Sequence, residues 1–166
     1  MEYHGLLYRA VDPRHWGEPL SGQGAAETGQ RFNRKGEAAL YTALRPETVL
    51  REKMQEGPLQ PLLIVAIRAR IDRIFDARKP EEVARFGLSA EDLARDDWRD
   101  QTDPAPHCLA QAVRAAGHPG MMVPSYAKGA GDGDVNLVLW DWAGRLTVVD
   151  DTGCLAELAR KEDGGP

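Results

Sequence analysis

Cysteine is scarce in this chain, whose two cysteines, Cys108 and Cys154, lie far apart and outside any C-x-x-C pair. That spacing excludes a disulfide-dense scaffold and a paired-thiol zinc site. We therefore expect two reduced, partly buried thiols in a cytoplasmic protein.

Long apolar segments and an excess of positive charge are also missing. The longest apolar run, "PLLIVAI" at 61–67, is far too short to cross a bilayer. The first residues lack the basic and apolar regions of a signal peptide, so we predict neither secretion nor a membrane partner. The net charge of −5 disfavours a protein that coats nucleic acid, although it allows a local basic site.

The remaining composition is that of a globular protein. Apolar residues make up 42% and charged residues 28% of 166 residues, which favours one domain spanning 1–166. Hydrophobic periodicity and turn residues predict strands at 5–11, 38–43, 62–69, 73–75 and 120–125, and a hairpin at 135–151. They predict helices at 46–56, 105–117 and 152–160, with short helices on an exposed flank at 78–103. The Gly-rich segments 17–29 and 126–135 are predicted to be mobile loops. The fold class is therefore mixed α/β (α+β), with antiparallel or mixed strands flanked by helices.

Three familiar motifs fail on inspection. "GQGAAE" at 22–27 begins like a dinucleotide fingerprint, but Glu27 replaces the third glycine. "DGDVNL" at 132–137 begins like a calcium loop, but Leu137 stands where the turn glycine belongs. His107 and Cys108 are adjacent, and neighbours on a helix diverge by about 100°. No pair of histidines has metal-ligand spacing, so we expect no metal.

One basic turn leads into an aromatic strand. In "GQRFNRKGEAALYTA" at 29–43, Arg31, Arg34 and Lys35 lie in a Gly-bounded turn before Tyr41. Together with "YRA" at 8–10, Glu52 within a helix, "MMVPS" ending at Ser125 and "NLVLWDW" from Asn136, this stretch resembles the RES-domain family. The family is named for its Arg, Glu and Ser residues, and the resemblance runs from Tyr8 to Val149.

The resemblance implies a fold and an activity. RES-domain members are bacterial toxins of toxin–antitoxin modules, with an ADP-ribosyltransferase-like fold and NAD+ as a consumed co-substrate. The chain looks most like the ADP-ribosylating members called ParT. It is therefore expected to be a cytoplasmic bacterial toxin whose cleft is occluded by a cognate antitoxin, with paired copies of each chain.

The charged residues of the family motif suit this chemistry. Arg31 matches the family arginine of G-x-R-[FW]-N and Arg9 matches a second one, and arginine binds a pyrophosphate in bidentate fashion. Breaking the nicotinamide–ribose bond builds positive charge on the ribose. A fixed carboxylate would stabilise that charge, and Glu52 matches the family glutamate, whereas Glu47 and Glu56 lie outside the motif.

The polar and aromatic residues have more than one possible role. Tyr41 matches the family tyrosine, whose ring either stacks on nicotinamide or the ribosyl cation or packs in the core. Ser125 matches the family serine, which either orients the glutamate or binds a ribose hydroxyl. Asn136 is expected to bind the ribose or orient a neighbour, and Asn33 to shape the turn. The predicted site is therefore Arg31, Glu52, Tyr41 and Ser125 for catalysis, with Arg9 and Asn136 added for NAD+ binding.

The sequence favours an enzyme that transfers ADP-ribose from NAD+ to a protein acceptor. Water or phosphate as the acceptor stays open, because family members that hydrolyse or phosphorolyse NAD+ also exist. A non-catalytic module that docks a phosphate on the basic turn is a rival from another class. A ribonuclease toxin using His4 and His15 is a third possibility, disfavoured by the net charge of −5.

Overall fold

The computed structural model describes residues 1–163, and its strands form one sheet. The strands are β1 Tyr3–Val11, β2 Leu40–Ala43, β3 Leu63–Ile71, β4 Phe75–Asp76, β5 Gly120–Pro124, β6 Val135–Leu139 and β7 Leu146–Val148. Across the sheet they follow the order β4-β5-β6-β2-β1-β3-β7. Only β4 and β5 pair in parallel within this described part of the chain.

Helices flank the sheet, which confirms the predicted α+β class. They are α1 Gln23–Thr28, α2 Pro46–Met54, α3 Pro80–Ala84, α4 Ala90–Ala94, α5 Ala105–Ala115 and α6 Cys154–Asp163. Short 3-10 turns cover Pro13–His15 and Asp96–Asp100. Pro46 begins α2 at a position that needs no N–H donor, as the sequence predicts.

The core lies on both faces of the sheet, because alternate residues of a strand point to opposite sides. On one face Leu7 pairs with Ile67 and Leu40 pairs with Leu139. On the other face α5 buries Leu109 and Val113 against Met121 and Val138.

The sheet is least continuous between β1 and β2. These strands share one registered pair, Tyr8 with Ala43, whereas β1 pairs with β3 all along its length, from Tyr3 with Ile71 to Val11 with Leu63. Helix α2 follows β2 after two residues and packs against both β1 and β2. Helix α2 therefore lies over the junction between β1 and β2.

The predicted hairpin at 135–151 is wrong. β6 pairs with β2 and β5, whereas β7 pairs with β3 at the opposite edge. Between them the Trp142 side chain packs on the core beside Leu7, and its Nε1 donates to the Leu20 carbonyl at 3.1 Å. The partly buried indole thus anchors the connection between β6 and β7 to the loop at Leu20.

Three smaller expectations also need correction. Residues 23–28 form α1 rather than a loop, because Gly36 N donates to Ala26 O and ties the helix to the basic turn. The short helices at 78–103 occur as predicted, but they bury Val83, Leu93 and Trp98 rather than forming a fully exposed flank. Both cysteines are free and exposed rather than partly buried. No helix within residues 1–163 is long and apolar enough to cross a membrane.

Candidate active site

The carboxylate of Glu52 accepts three side-chain hydrogen bonds. Ser125 Oγ and Asn136 Nδ2 each donate to its Oε1 at 2.6 Å. Gln55 Nε2 donates to its Oε2 at 2.8 Å. Hydrogen bonds of this kind fix the orientation of a carboxylate. The structure therefore brings three of the predicted site residues, Glu52, Ser125 and Asn136, into direct contact.

Glu52, Ser125 and Asn136 are placed by three different elements. Glu52 lies near the end of α2, and Gln55 follows it three residues later on the same side of the helix. Asn136 lies in β6 opposite Val123 of β5, and Ser125 comes directly after β5. Because β5 and β6 are antiparallel neighbours, the start of one and the end of the other meet beneath α2.

Arg31 lies in a partly buried aromatic setting. Its Nη1 donates to the carbonyls of Leu93 at 2.8 Å and Arg95 at 2.9 Å. Its guanidinium carbon lies 4.6 Å from the ring centre of Tyr126 and 5.6 Å from that of Trp98. Burial lowers the pKa of Arg31, whereas the charge of Glu52 contributes in the opposite direction. The Nε and Nη2 of Arg31 take no part in the two carbonyl bonds.

The hydroxyl of Tyr41 holds the basic turn together. It accepts a hydrogen bond from Phe32 N at 2.9 Å and donates to Asn33 Oδ1 at 2.9 Å. Asn33 Nδ2 in turn donates to the carbonyls of Ala25 and Glu37, both at 2.9 Å. Burial raises the pKa of the Tyr41 hydroxyl well above its ordinary value. The ring of Tyr41 packs against the core, and its hydroxyl forms a bridge that the sequence did not indicate. The contact of this ring with nicotinamide stays a prediction.

Arg9 is placed differently from the other predicted residues. Residues of β1 alternate between the two faces of the sheet, so Arg9 lies on the same face as Leu7 and Val11. Tyr8 lies on the opposite face, which it shares with its partner Ala43 and with Asn136. Within residues 1–163 the buried Nη1 of Arg9 has no hydrogen-bond partner, and burial lowers the pKa of this arginine to about 10. The structure does not join Arg9 to the Glu52 group, and its role in NAD+ binding stays a prediction.

Three contacts of the site were not predicted. Gln55 could have been found from its helical spacing to Glu52, since residues three apart share a helix face. Tyr126 directly follows Ser125, and burial raises its pKa to about 12. Trp98 comes from the charged segment before α5, where no sequence pattern connects it to Arg31.

The chain matches the model of a known family over residues 6–156, described as the RES domain. It belongs to the RES domain family. The match covers the basic turn, Glu52, Ser125 and Asn136 in one continuous stretch, as the sequence resemblance predicted.

A solved structure shows that the RES domain here has a known fold. One chain of the crystal structure of the M. tuberculosis MbcT–MbcA toxin–antitoxin complex superposes with a TM-score of 0.65. The alignment covers 97% of this chain and 92% of that chain at 20% sequence identity. No curated protein matches the chain.

Two further features of the RES domain lie apart from the Glu52 group. A cavity of about 420 Å³ is lined by Arg73, Arg114, His118, Trp140 and Arg145, together with four neighbours. Each of its three arginines already has a protein partner: the Ala116 carbonyl, Glu37 and Asp141, respectively. Glu2, His4 and Asp72 bring ligand-type atoms within 4.8 Å of one another, but all three are exposed.

Proposed function

We propose that this protein is the toxin of a bacterial toxin–antitoxin module that consumes NAD+ in the cytoplasm. In the proposed reaction it cleaves the nicotinamide–ribose bond and transfers ADP-ribose to a protein acceptor. The observation that carries the proposal is the carboxylate of Glu52, held by Ser125, Asn136 and Gln55. A preorganised anion of this kind suits a reaction that builds positive charge.

The chemistry requires only groups that the chain supplies. The C–N bond between ribose and nicotinamide breaks, and its electron pair leaves with nicotinamide. The ribose carbon then carries oxocarbenium character, as in glycoside hydrolysis. Glu52 would stabilise this charge more strongly in the transition state than in the ground state, which is the requirement for a rate gain. A nucleophilic group of the acceptor adds to the same carbon and releases its proton to solvent.

Arg31 is the residue that we expect to bind the pyrophosphate of NAD+. The guanidinium is fixed by two carbonyls and two aromatic rings, so binding would cost little side-chain entropy. The Nη1 of Arg9, which is buried and has no hydrogen-bond partner among residues 1–163, is a second donor that a phosphate oxygen could satisfy. No metal is needed in this scheme, because the two arginines would neutralise the phosphates.

A cognate antitoxin is the proposed partner. The solved structure that resembles this chain is a complex of a toxin with its antitoxin, which supports a protein partner here. An acidic segment of that partner would compete with NAD+ for Arg31. We expect a hetero-oligomer with paired copies of each chain, in which the antitoxin raises the apparent KM for NAD+ or stops turnover.

Incubation of the purified protein with NAD+ tests the activity. Release of nicotinamide, followed by chromatography, supports the proposal, and its absence in the presence of candidate acceptor proteins would overturn it. The second product identifies the acceptor. ADP-ribose on a protein supports the transferase, whereas free ADP-ribose or its phosphate ester would show water or phosphate as the acceptor.

A further inference from the structure

A buried acidic side chain near the site has no role in the chemistry described above. Asp134 lies at the end of the Gly-rich segment, directly before β6, and is 7% exposed. An ionised carboxylate is costly to bury unless several donors compensate for the lost water. Its hydrogen-bond partners therefore indicate what the residue does.

The partners of Asp134 come from two separate elements. Thr48 of α2 donates its hydroxyl to Asp134 Oδ1 at 2.7 Å, and Gly131 N donates to Oδ2 at 2.9 Å. Arg51 Nε lies 3.3 Å from Oδ2 but forms no aligned hydrogen bond. The backbone carbonyl of Asp134 also accepts from Ser125 N at 2.7 Å. One residue thus contacts α2, the Gly-rich segment and Ser125.

Thr48 and Glu52 lie one helical turn apart on α2, so they share a face of the helix. Thr48 is fully buried and is bound by Asp134, whereas Glu52 is bound by Ser125 and Asn136. Both bonds therefore connect the same face of α2 to the chain between residues 125 and 136. Losing the first would let α2 shift relative to the donors of Glu52.

We propose that Asp134 is a positioning residue that holds Glu52 against Ser125 and Asn136 by binding Thr48 one turn earlier on α2. The inference rests on the proposed function, because it assigns Asp134 a part in the turnover of NAD+. Asp134 touches neither substrate nor reacting atoms and acts through the placement of α2. A misplacement of about 1 Å can cost on the order of 10²-fold in rate.

Paired substitutions at two buried threonines test this role. Thr48→Val removes the hydroxyl that Asp134 binds, and Thr48→Ser keeps it. Thr42→Val is the matched control, because Thr42 is 4% exposed and its hydroxyl donates at 2.8 Å to the Leu137 carbonyl of β6 rather than bonding to the segment that holds α2. We expect Thr48→Val to lower kcat about tenfold with little change in KM for NAD+, Thr48→Ser to restore kcat, and Thr42→Val to keep it.

Asp134→Asn should also lower kcat, because a neutral amide binds the Thr48 hydroxyl and Gly131 N more weakly than a carboxylate does. Amide exchange at Gly131, followed by NMR, should also accelerate in Thr48→Val and not in Thr42→Val. Wild-type kcat and exchange in Thr48→Val would overturn the inference, as would equal losses of kcat in Thr48→Val and Thr42→Val. Wild-type protein that releases no nicotinamide would instead overturn the proposed function, and the exchange measurement separates the two failures.

Discussion

Asn136 Nδ2 lies 2.6 Å from Glu52 Oε1, although the two residues are 84 positions apart in the sequence. The contact joins the last turn of α2 to the first residues of β6. Ser125 donates to the same oxygen atom from the end of β5. The fold thus directs two neutral donors to Oε1 of Glu52, whereas Oε2 accepts from Gln55.

Glu52→Gln should abolish NAD+ turnover while leaving the fold intact. An amide has the shape of the carboxylate but cannot stabilise a developing cation, and losing such a group costs on the order of 10²–10³ in rate. Glu56→Gln is the matched control, since Glu56 is exposed and paired with Lys53 just beyond α2. Nicotinamide release near the wild-type rate from Glu52→Gln would remove Glu52 from the chemistry.

Ser125→Ala should slow turnover less than Glu52→Gln, because the hydroxyl acts through the carboxylate. A hydrogen bond to a charged group contributes about 1.5–3 kcal/mol, which corresponds to roughly 10–100-fold in rate. In the Glu52→Gln background, Ser125→Ala should add little further loss. A double-mutant cycle on kcat measures this coupling. Fully additive losses would show that Ser125 acts on the substrate directly.

The elements were easier to predict than their partners. The alternation in β1 and β3 and the Pro46 start of α2 are local signals, and the structure contains all three elements. The pairing of β7 with β3 joins residues about 80 positions apart, and the Trp142 contact with Leu20 that anchors the connection is equally remote, so no local pattern shows either. For the same reason the predicted pairing of β6 with β7 in a hairpin was wrong.

The residues of the site were likewise easier to predict than the contacts that surround them. Glu52, Ser125 and Asn136 were found by resemblance to the family, and their mutual contacts agree with that grouping. The environment of Arg31 could not be predicted, because Trp98 and the carbonyls of Leu93 and Arg95 come from a segment whose charged composition suggests only solvent exposure.

Tyr41→Phe should lower stability more than the loss of one exposed hydroxyl would. The change leaves Phe32 N and Asn33 Oδ1 without their partner in a buried turn, at a cost of about 1–3 kcal/mol. Denaturant unfolding measures the difference, and Tyr3→Phe is a control, since the Tyr3 hydroxyl bonds the Leu6 carbonyl in an exposed setting. An unchanged midpoint in Tyr41→Phe would show that the turn does not need the bridge.

The contribution of Asp134 to stability should depend on pH. Hydrogen bonds from Gly131 N and then Thr48 lower the pKa of this carboxyl below its ordinary value, and Arg51 and Arg45 add to the shift. A lowered pKa stabilises the folded state above the unfolded value of about 4 and loses that effect as the pH falls through the folded value. The difference in unfolding free energy between wild type and Asp134→Asn should therefore be full at pH 7 and shrink below pH 4. A difference that is constant from pH 7 to pH 3 would contradict the assignment.

Replacing Arg9 should separate stability from binding. Its Nη1 is buried without a partner within the described residues, and burial lowers the pKa of the side chain to about 10. An uncompensated buried cation destabilises a fold, so Arg9→Met should keep or raise the melting temperature.

If Arg9 binds a phosphate of NAD+, the same change should raise KM roughly tenfold or more, because a charge-assisted bond is lost. Arg68→Met is the control: Arg68 is exposed and paired with Asp151 in the turn after β7, and its loss should leave KM unchanged. A higher melting temperature with unchanged KM in Arg9→Met would show that Arg9 contacts no part of the nucleotide, and the pyrophosphate would then depend on Arg31 alone.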